Sequence, residues 1–197
     1  MTMPHAAITT ELILGGQKSG KSRRAEQLAA AWLTHSPAHR AVMIATAQAH
    51  DDEMRARIAR HQRERAERVP GMTTLEAPRD LAAAIAQAGG AETLRVVDCL
   101  TLWLTGQLMP LSNDFEQNRP PAHDWPAQAA MFLKATEACP GPVVLVGNEI
   151  GLGVIPLGRE VRAFVDALGV LNQQVAAACE RVTLMAAGLP LCLKGAS

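Results

Sequence analysis

The chain has 197 residues, 48% of them apolar, and its nineteen basic residues balance nineteen acidic ones for a formal net charge of zero. That balance leaves no global field to draw the protein toward nucleic acid or an anionic membrane, and with 3% aromatic residues and no tyrosine there are few platforms for stacking unpaired bases. No apolar run reaches the roughly 18 residues of a membrane helix and the first ten residues do not resemble a secretory signal, so one cytoplasmic domain spanning residues 1–197, without membrane insertion, is expected.

The first element is the apolar run Glu11–Leu14, read as a strand. Directly behind it, Gly15-Gly16-Gln17-Lys18-Ser19-Gly20-Lys21-Ser22 fills every fixed position of the phosphate-binding pattern G-x-x-x-x-G-K-[ST]. Glycines let successive backbone N–H groups converge on phosphate oxygens, the Lys21 ammonium reaches the outer phosphates, and the Ser22 hydroxyl is placed to ligate magnesium. A helix predicted over 22–34, with Ala25, Leu28, Ala29, Trp32 and Leu33 at helical spacing, aims its positive end at the anion. A glycine-rich turn that binds nothing is the bland alternative; a strand before and a helix after the octet argue against it.

A second strand, Ala41–Ala45, leads to Thr46 and Gln48 on the same rim, residues able to bond to base, ribose or phosphate. The charged segment 51–68 reads as a helix whose Met54, Ile58, His61 and Arg65 share one face, with Met54 and Ile58 expected to pack inward. A histidine on such a face is most simply a satisfied core residue. Arg57, Arg60, Arg63 and Arg65 surround this one, however, and guanidinium groups suit phosphate recognition while disfavouring the protonated ring, leaving a neutral nitrogen able to attack phosphorus. The competing reading of the arginines is a solvated face pairing with Glu53, Glu64 and Glu67.

A third strand, Leu94–Val97, closes on Asp98, where phosphate-loop enzymes place the acid that helps hold magnesium; helix capping is the alternative role. The stretch Met109–Pro126, holding Pro110, Pro120, Pro121 and Pro126, is expected to be a long, poorly ordered connection. The fourth strand, Val143–Val146, runs into Gly147-Asn148-Glu149-Ile150-Gly151-Leu152-Gly153, either a second binding surface or a simple turn. A helix over 159–180 carries the core stripe Phe164, Leu168, Leu171 and Val175, followed by a strand at Arg181–Ala186 and a possible sixth at Leu191–Leu193. Strands alternating with helices predict a doubly wound, mostly parallel α/β sheet, with ligands beyond the strands' carboxyl ends. Cys99, Cys139, Cys179 and Cys192 are scattered without metal-ligand spacing and read as structural.

At these residues the chain resembles the bifunctional adenosylcobinamide kinase and adenosylcobinamide-phosphate guanylyltransferase family of cobalamin biosynthesis. The resemblance lies in the octet, in Ile44-Ala45-Thr46-Ala47-Gln48 with Asp51-Asp52-Glu53-Met54, in Arg57-Ile58-Ala59-Arg60-His61 and in Val97-Asp98-Cys99-Leu100-Thr101-Leu102-Trp103-Leu104. It continues through Asn148-Glu149-Ile150-Gly151-Leu152-Gly153-Val154-Ile155-Pro156, Leu171-Asn172-Gln173 and Ala187-Gly188-Leu189-Pro190-Leu191-Cys192-Leu193-Lys194-Gly195. The resemblance implies a RecA-like phosphate-loop fold and two reactions: phosphorylation of adenosylcobinamide from GTP or ATP with magnesium, then transfer of GMP from GTP through a histidine. His61 occupies that histidine's position, Lys21 and Asp98 are the other catalytic candidates, and Ser22 and Asp98 the metal ligands. Residues 15–22, Thr46, Ala47, Gln48, Gln62, Arg63, Glu64, Arg65, Glu76 and Asp98 fall where the family contacts nucleotide, and a homotrimer is implied. Departures include Gln17-Lys18 where the family more often has Ala-Arg, and Met72 in place of a tryptophan ahead of Glu76. Two other functions fit the loop alone: a plain small-molecule kinase that never uses His61, and a non-catalytic GTP sensor.

Overall fold

The computed structural model describes residues 10–48, 51–77, 79–109 and 124–195. In chain order the elements are β1 (Thr10–Gly15), α1 (Lys21–His35), β2 (Arg40–Ala45), α2 (Asp52–Arg68), β3 (Met72–Glu76), α3 (Leu81–Gln87), β4 (Thr93–Asp98) and α4 (Leu100–Leu108). They continue as α5 (Trp125–Glu137), β5 (Val143–Val146), α6 (Arg159–Ala178), β6 (Arg181–Ala186) and β7 (Leu189–Lys194). The strands form one sheet in the order β3-β2-β4-β5-β1-β6-β7, parallel throughout except for β7, which pairs antiparallel with β6.

Helices cover both faces, which is why β1, β4 and β5 are almost continuously apolar and buried. On one face Leu12, Leu14, Val97 and Leu145 pack under α3–α6, where Trp103 meets Phe132 edge-on at 5.2 Å. On the other, α1 brings Ala25 and Ala29 against Ile13, Val96, Val144 and Val146; alanines at i and i+4 let the helix axis come close to the sheet. Asp51 caps α2 by accepting from Met54 N at 2.6 Å, and Asp52 and Glu53 in the first turn with Arg65 and Arg68 in the last complement the helix dipole. At the C-terminus of α6, Lys194 Nζ donates to the carbonyls of Ala176 and Ala177, each at 2.9 Å.

Several expectations are corrected. The strand β3 and the helix α3 are additions: β3 is an edge strand with Thr73 and Thr74 exposed, so it has no apolar run to mark it. The possible last strand is real and longer, Leu189–Lys194. The proposed connection 109–126 ends early, because Pro126 stands in the first turn of α5, where its missing N–H costs nothing; residues 110–123 lie outside the described ones. Met54 and Ile58 are only half-buried and join neither core cluster.

Arg95 is fully buried in β4, on the face shared with Val97. Its Nε donates to Ile85 O at 2.9 Å, Nη1 to Thr93 O at 2.8 Å and Gly90 O at 3.4 Å, and Nη2 to Gly89 O. One guanidinium thus gathers the carbonyls of the whole connection from α3 to β4. Replacing it by Met removes the guanidinium donor from these buried carbonyls, of which Gly90 O keeps a bond from Thr93 N at 3.2 Å, and Arg95→Met is expected to cost about 2–4 kcal/mol. The measurement is the urea midpoint at neutral pH; an unchanged midpoint refutes this role.

Candidate active site

The loop after β1 is shaped by close approach. A Cβ at Gly15 would lie 2.5 Å from both Met185 O and Ser19 Oγ, and Gly20, at φ +101°, caps α1 without a side chain to occupy the first-turn amides. Lys18 takes the left-handed region at φ 56°, which curls the intervening backbone. Neighbouring strand ends brace the curl: Gly188 N donates to Ser19 O and Glu149 N to Gly15 O, each at 3.0 Å.

Into this curl the structure brings Lys21, Ser22 and Asp98. Lys21 is buried, its Nζ donating to Gly16 O at 2.5 Å and, more weakly, to Ser19 Oγ at 3.5 Å. Burial lowers the ammonium's pKa, and the neighbouring Cys99 and Asp98 oppose that shift. The Ser22 hydroxyl lies beside the Asp98 carboxylate and favours its ionised form. Burial raises the Asp98 pKa, against the Ser22 hydroxyl and the attraction of Arg65; Glu26 pushes it up further and Lys21 pulls it down. Arg65 is half-buried, its guanidinium pKa lowered by desolvation while Asp98 and Glu26 raise it, and its Nη2 donates to Thr74 Oγ1 at 3.2 Å.

Two residues that sequence reasoning missed complete this corner. Glu26, buried one turn after Ser22, takes both Arg68 Nε at 2.6 Å and Nη2 at 3.0 Å, a bidentate pair that ties the C-terminal end of α2 to α1. The i, i+4 spacing of Ser22 and Glu26 was the available signal; their common orientation needs the helix to be docked.

The remaining candidates are more spread. His61 is exposed on α2, one turn before Arg65, with Gln62 half-buried and Arg63 exposed beside it. Glu64 pairs with Arg68 at 3.4 Å and Arg60 at 3.9 Å, so part of the arginine-rich face is the solvated pairing surface also considered. The side chain of Arg57 lies outside the described ones. Thr46 is buried, its Oγ1 donating to Cys99 O at 2.7 Å and accepting from Cys99 N at 2.8 Å, which clasps the ends of β2 and β4 together. Its N–H is engaged as well, donating to Asp98 O at 3.3 Å. Ala47 follows it, and Gln48 and Glu76 line a cleft of about 440 Å³ with Ala77, Arg79 and Asp80, beyond the ends of β2 and β3. Cys99 and Cys179 are buried thiols whose pKa values burial pushes up to about 11 and about 12, so both are unreactive packing groups.

This arrangement can hold a triphosphate: oriented amides, a lysine, and an acid with a hydroxyl at the strand end. Residues 11–193 match the family model described as cobinamide kinase / cobinamide phosphate guanyltransferase. The chain belongs to this family. The bifunctional adenosylcobalamin biosynthesis protein CobP of Pseudomonas aeruginosa is 48% identical over 186 residues, covering 94% of this chain and 97% of that protein. Bifunctional adenosylcobalamin biosynthesis protein CobU of Salmonella typhimurium is 34% identical over 190 residues, covering 93% and 98% respectively. Among solved structures, the Pyrococcus horikoshii OT3 protein of project PH0250 is similar at TM-score 0.50 and 10% identity, over 97% of this chain and 89% of that one. The likeness concerns fold alone, and it agrees with the sheet order, in which one strand, β5, separates the loop strand β1 from the acid-bearing β4, as in RecA-like phosphate-loop proteins. This cobinamide kinase/guanyltransferase is therefore an enzyme built on a nucleotide-binding phosphate-loop fold.

A half-buried carboxylate whose pKa desolvation raises destabilises the folded state where it is ionised. The folded protein holds the Asp98 proton to higher pH than the unfolded chain does, so stability is lost as pH rises from the ordinary aspartate pKa through the folded one. Asp98→Asn is expected to raise the urea midpoint at pH 7, with the gain shrinking to nothing below the ordinary aspartate range. A midpoint difference independent of pH refutes the assignment.

Proposed function

We propose that this chain catalyses both reactions of its family as a single nucleotide-binding domain. In the first, the aminopropanol oxygen of adenosylcobinamide attacks the γ-phosphorus of GTP or ATP, the bond to the β-phosphate oxygen breaks, a nucleoside diphosphate leaves and the hydroxyl proton passes to solvent. In the second, the His61 imidazole attacks the α-phosphorus of GTP and pyrophosphate departs, leaving a phosphoramidate. A phosphate oxygen of the adenosylcobinamide phosphate then attacks that phosphorus, the P–N bond breaks, and adenosylcobinamide-GDP forms with the imidazole restored.

The convergence of Lys21, Ser22, Asp98 and Arg65 at one loop, with His61 on the same helix as Arg65, carries this reading. Lys21 and the loop amides bind the phosphates, and Arg65 adds charge where negative charge builds. Ser22 and Asp98 fit magnesium, since both offer hard oxygen atoms on the same side of the loop, and that ion takes few protein ligands beside phosphate and water. Bound there, magnesium would neutralise phosphate charge. Gln48 and Glu76, in their cleft at the sheet edge, suit the base end of the nucleotide, with Thr46, Ala47 and Gln62–Arg65 along the path between. Which phosphorus reacts is a matter of which nucleophile stands in line with it. A cytoplasmic location accompanies substrates of this kind. A homotrimer is carried over from the family resemblance, and the exposed Leu189, Leu191 and Leu193 of β7 offer it apolar surface.

Incubation with GTP labelled at the α-phosphate is expected to give an acid-labile, alkali-stable protein adduct that maps to His61. His61→Ala should abolish the adduct and spare γ-phosphoryl transfer. Phosphorylation of the corrinoid without any adduct identifies a plain kinase instead; nucleotide binding without turnover identifies a sensor. Lys21→Ala should slow both steps by roughly 10²–10³-fold, the usual effect of removing one charge-stabilising donor; unchanged rates overturn the site.

A further inference from the structure

The rim holds a second open surface beside the phosphate loop. After β5 the chain runs from Gly147 through Leu157 before α6 begins, and its start is tied to that loop, with Gly147 N donating to Ile13 O and Glu149 N to Gly15 O. Asn148 is held from two sides, its N donating to Thr101 Oγ1 at 2.9 Å and its carbonyl accepting from Asn172 Nδ2 at 3.0 Å. Beyond this firm base the apolar side chains turn outward: Leu152 is 81% exposed, Val154 97% and Leu157 96%. The segment is nevertheless fixed over the first half of α6, because Arg162 Nη1 donates to Pro156 O at 2.9 Å and to Leu157 O, and Glu149 Oε1 accepts from Gly151 N at 3.0 Å.

Between segment and helix lies a groove of about 470 Å³, with Ile150, Val154 and Ile155 on one side and Arg162, Asp166 and Gln173 on the other. We propose that this groove holds the corrinoid acceptor during both transfers. The inference rests on the two-step function proposed above and adds the location of the acceptor. Three observations support it. A corrinoid is an apolar macrocycle fringed with primary amides, and the groove pairs an apolar wall with a cation, an anion and an amide able to bond such a fringe. Ile150 lines it, one residue from Glu149, whose N–H is bonded to Gly15 O, so the groove begins beside the phosphate loop where an aminopropanol arm would have to react. Finally, α6 packs on the sheet face opposite to α1, the helix that anchors α2, so acceptor and His61 approach the triphosphate from different layers and do not compete for space.

A second copy of this chain is the rival occupant of so exposed an apolar segment. Val154→Asp in the full-length protein separates the two, with three readouts: the corrinoid KM for phosphorylation, adduct formation from α-labelled GTP, which needs no acceptor, and the mass by sedimentation. The expected result is a corrinoid KM raised at least tenfold, with adduct formation within twofold of wild type and the mass unchanged. An unchanged corrinoid KM overturns the assignment, and a changed mass does so too by giving the segment to a second copy. If adduct formation falls in step with phosphorylation, the substitution has disturbed the nucleotide site and the groove is not a separate acceptor site. Failure of the wild-type protein to phosphorylate the corrinoid overturns the functional reading itself, and the groove assignment with it.

Discussion

The meeting of Ser22, Lys21 and Asp98 at the phosphate loop joins the two elements that matter most, the first turn of α1 and the carboxyl end of β4. They are not neighbours in the sheet, for β5 lies between their strands, so the meeting exists only when the whole parallel register is in place. Its energetics are local. Burial disfavours the ionised acid and the charged Lys21 alike, and each partly restores the other, with Arg65 assisting Asp98. A chain of zero net charge thus gathers, at the candidate phosphate site, a few groups whose charges compensate at short range.

Around that meeting point the backbone does the bracing. Strand ends on three sides meet the loop or each other: the β6–β7 turn through Gly188, the segment after β5 through Glu149, and the end of β2 through Thr46, whose hydroxyl serves both backbone groups of Cys99. The α2 helix is held differently. Among the described residues its ties to the rest of the protein concentrate at the C-terminal end, in Arg68 with Glu26 and Arg65 with Thr74, and the buried Val69 follows immediately. A charged helix with few buried side chains gains little from hydrophobic docking, so ion pairs set its position, and bidentate geometry makes Arg68 suited to that task.

The nucleotide site was legible in the sequence because its signals are local. The octet follows an apolar run and opens a helix, and Asp98 ends a run of apolar residues, so each falls on the rim by strand geometry alone. What stayed hidden depends on distant partners. Glu26 and Arg68 are 42 positions apart and read as ordinary helix-surface charges until α1 and α2 are docked. Arg95 lies inside the strand read as Leu94–Val97, and only the fold shows four carbonyls converging on it. The edge strand β3 escaped because it is paired on one side only and needs just two inward residues, Met72 and Leu75. Thr46 was recognised as a rim residue, but its hydrogen bonds to Cys99 could not be read from a strand end.

Carrying out two phosphoryl chemistries at one loop sets a geometric problem, because attack at the γ- and α-phosphorus requires nucleophiles along different lines. The layered fold offers a solution. The helix bearing His61 is attached to α1, on one side of the sheet, while the segment after β5 leans on α6, on the other, and both reach the loop at the carboxyl rim. The sheet keeps the two approaches apart without a second domain. The same arrangement suits the role proposed for the exposed His61: a nucleophile that had to meet first a nucleotide and then a bulky acceptor would be better placed on a surface helix pinned at one end than inside a packed core, where either partner would have to displace its neighbours.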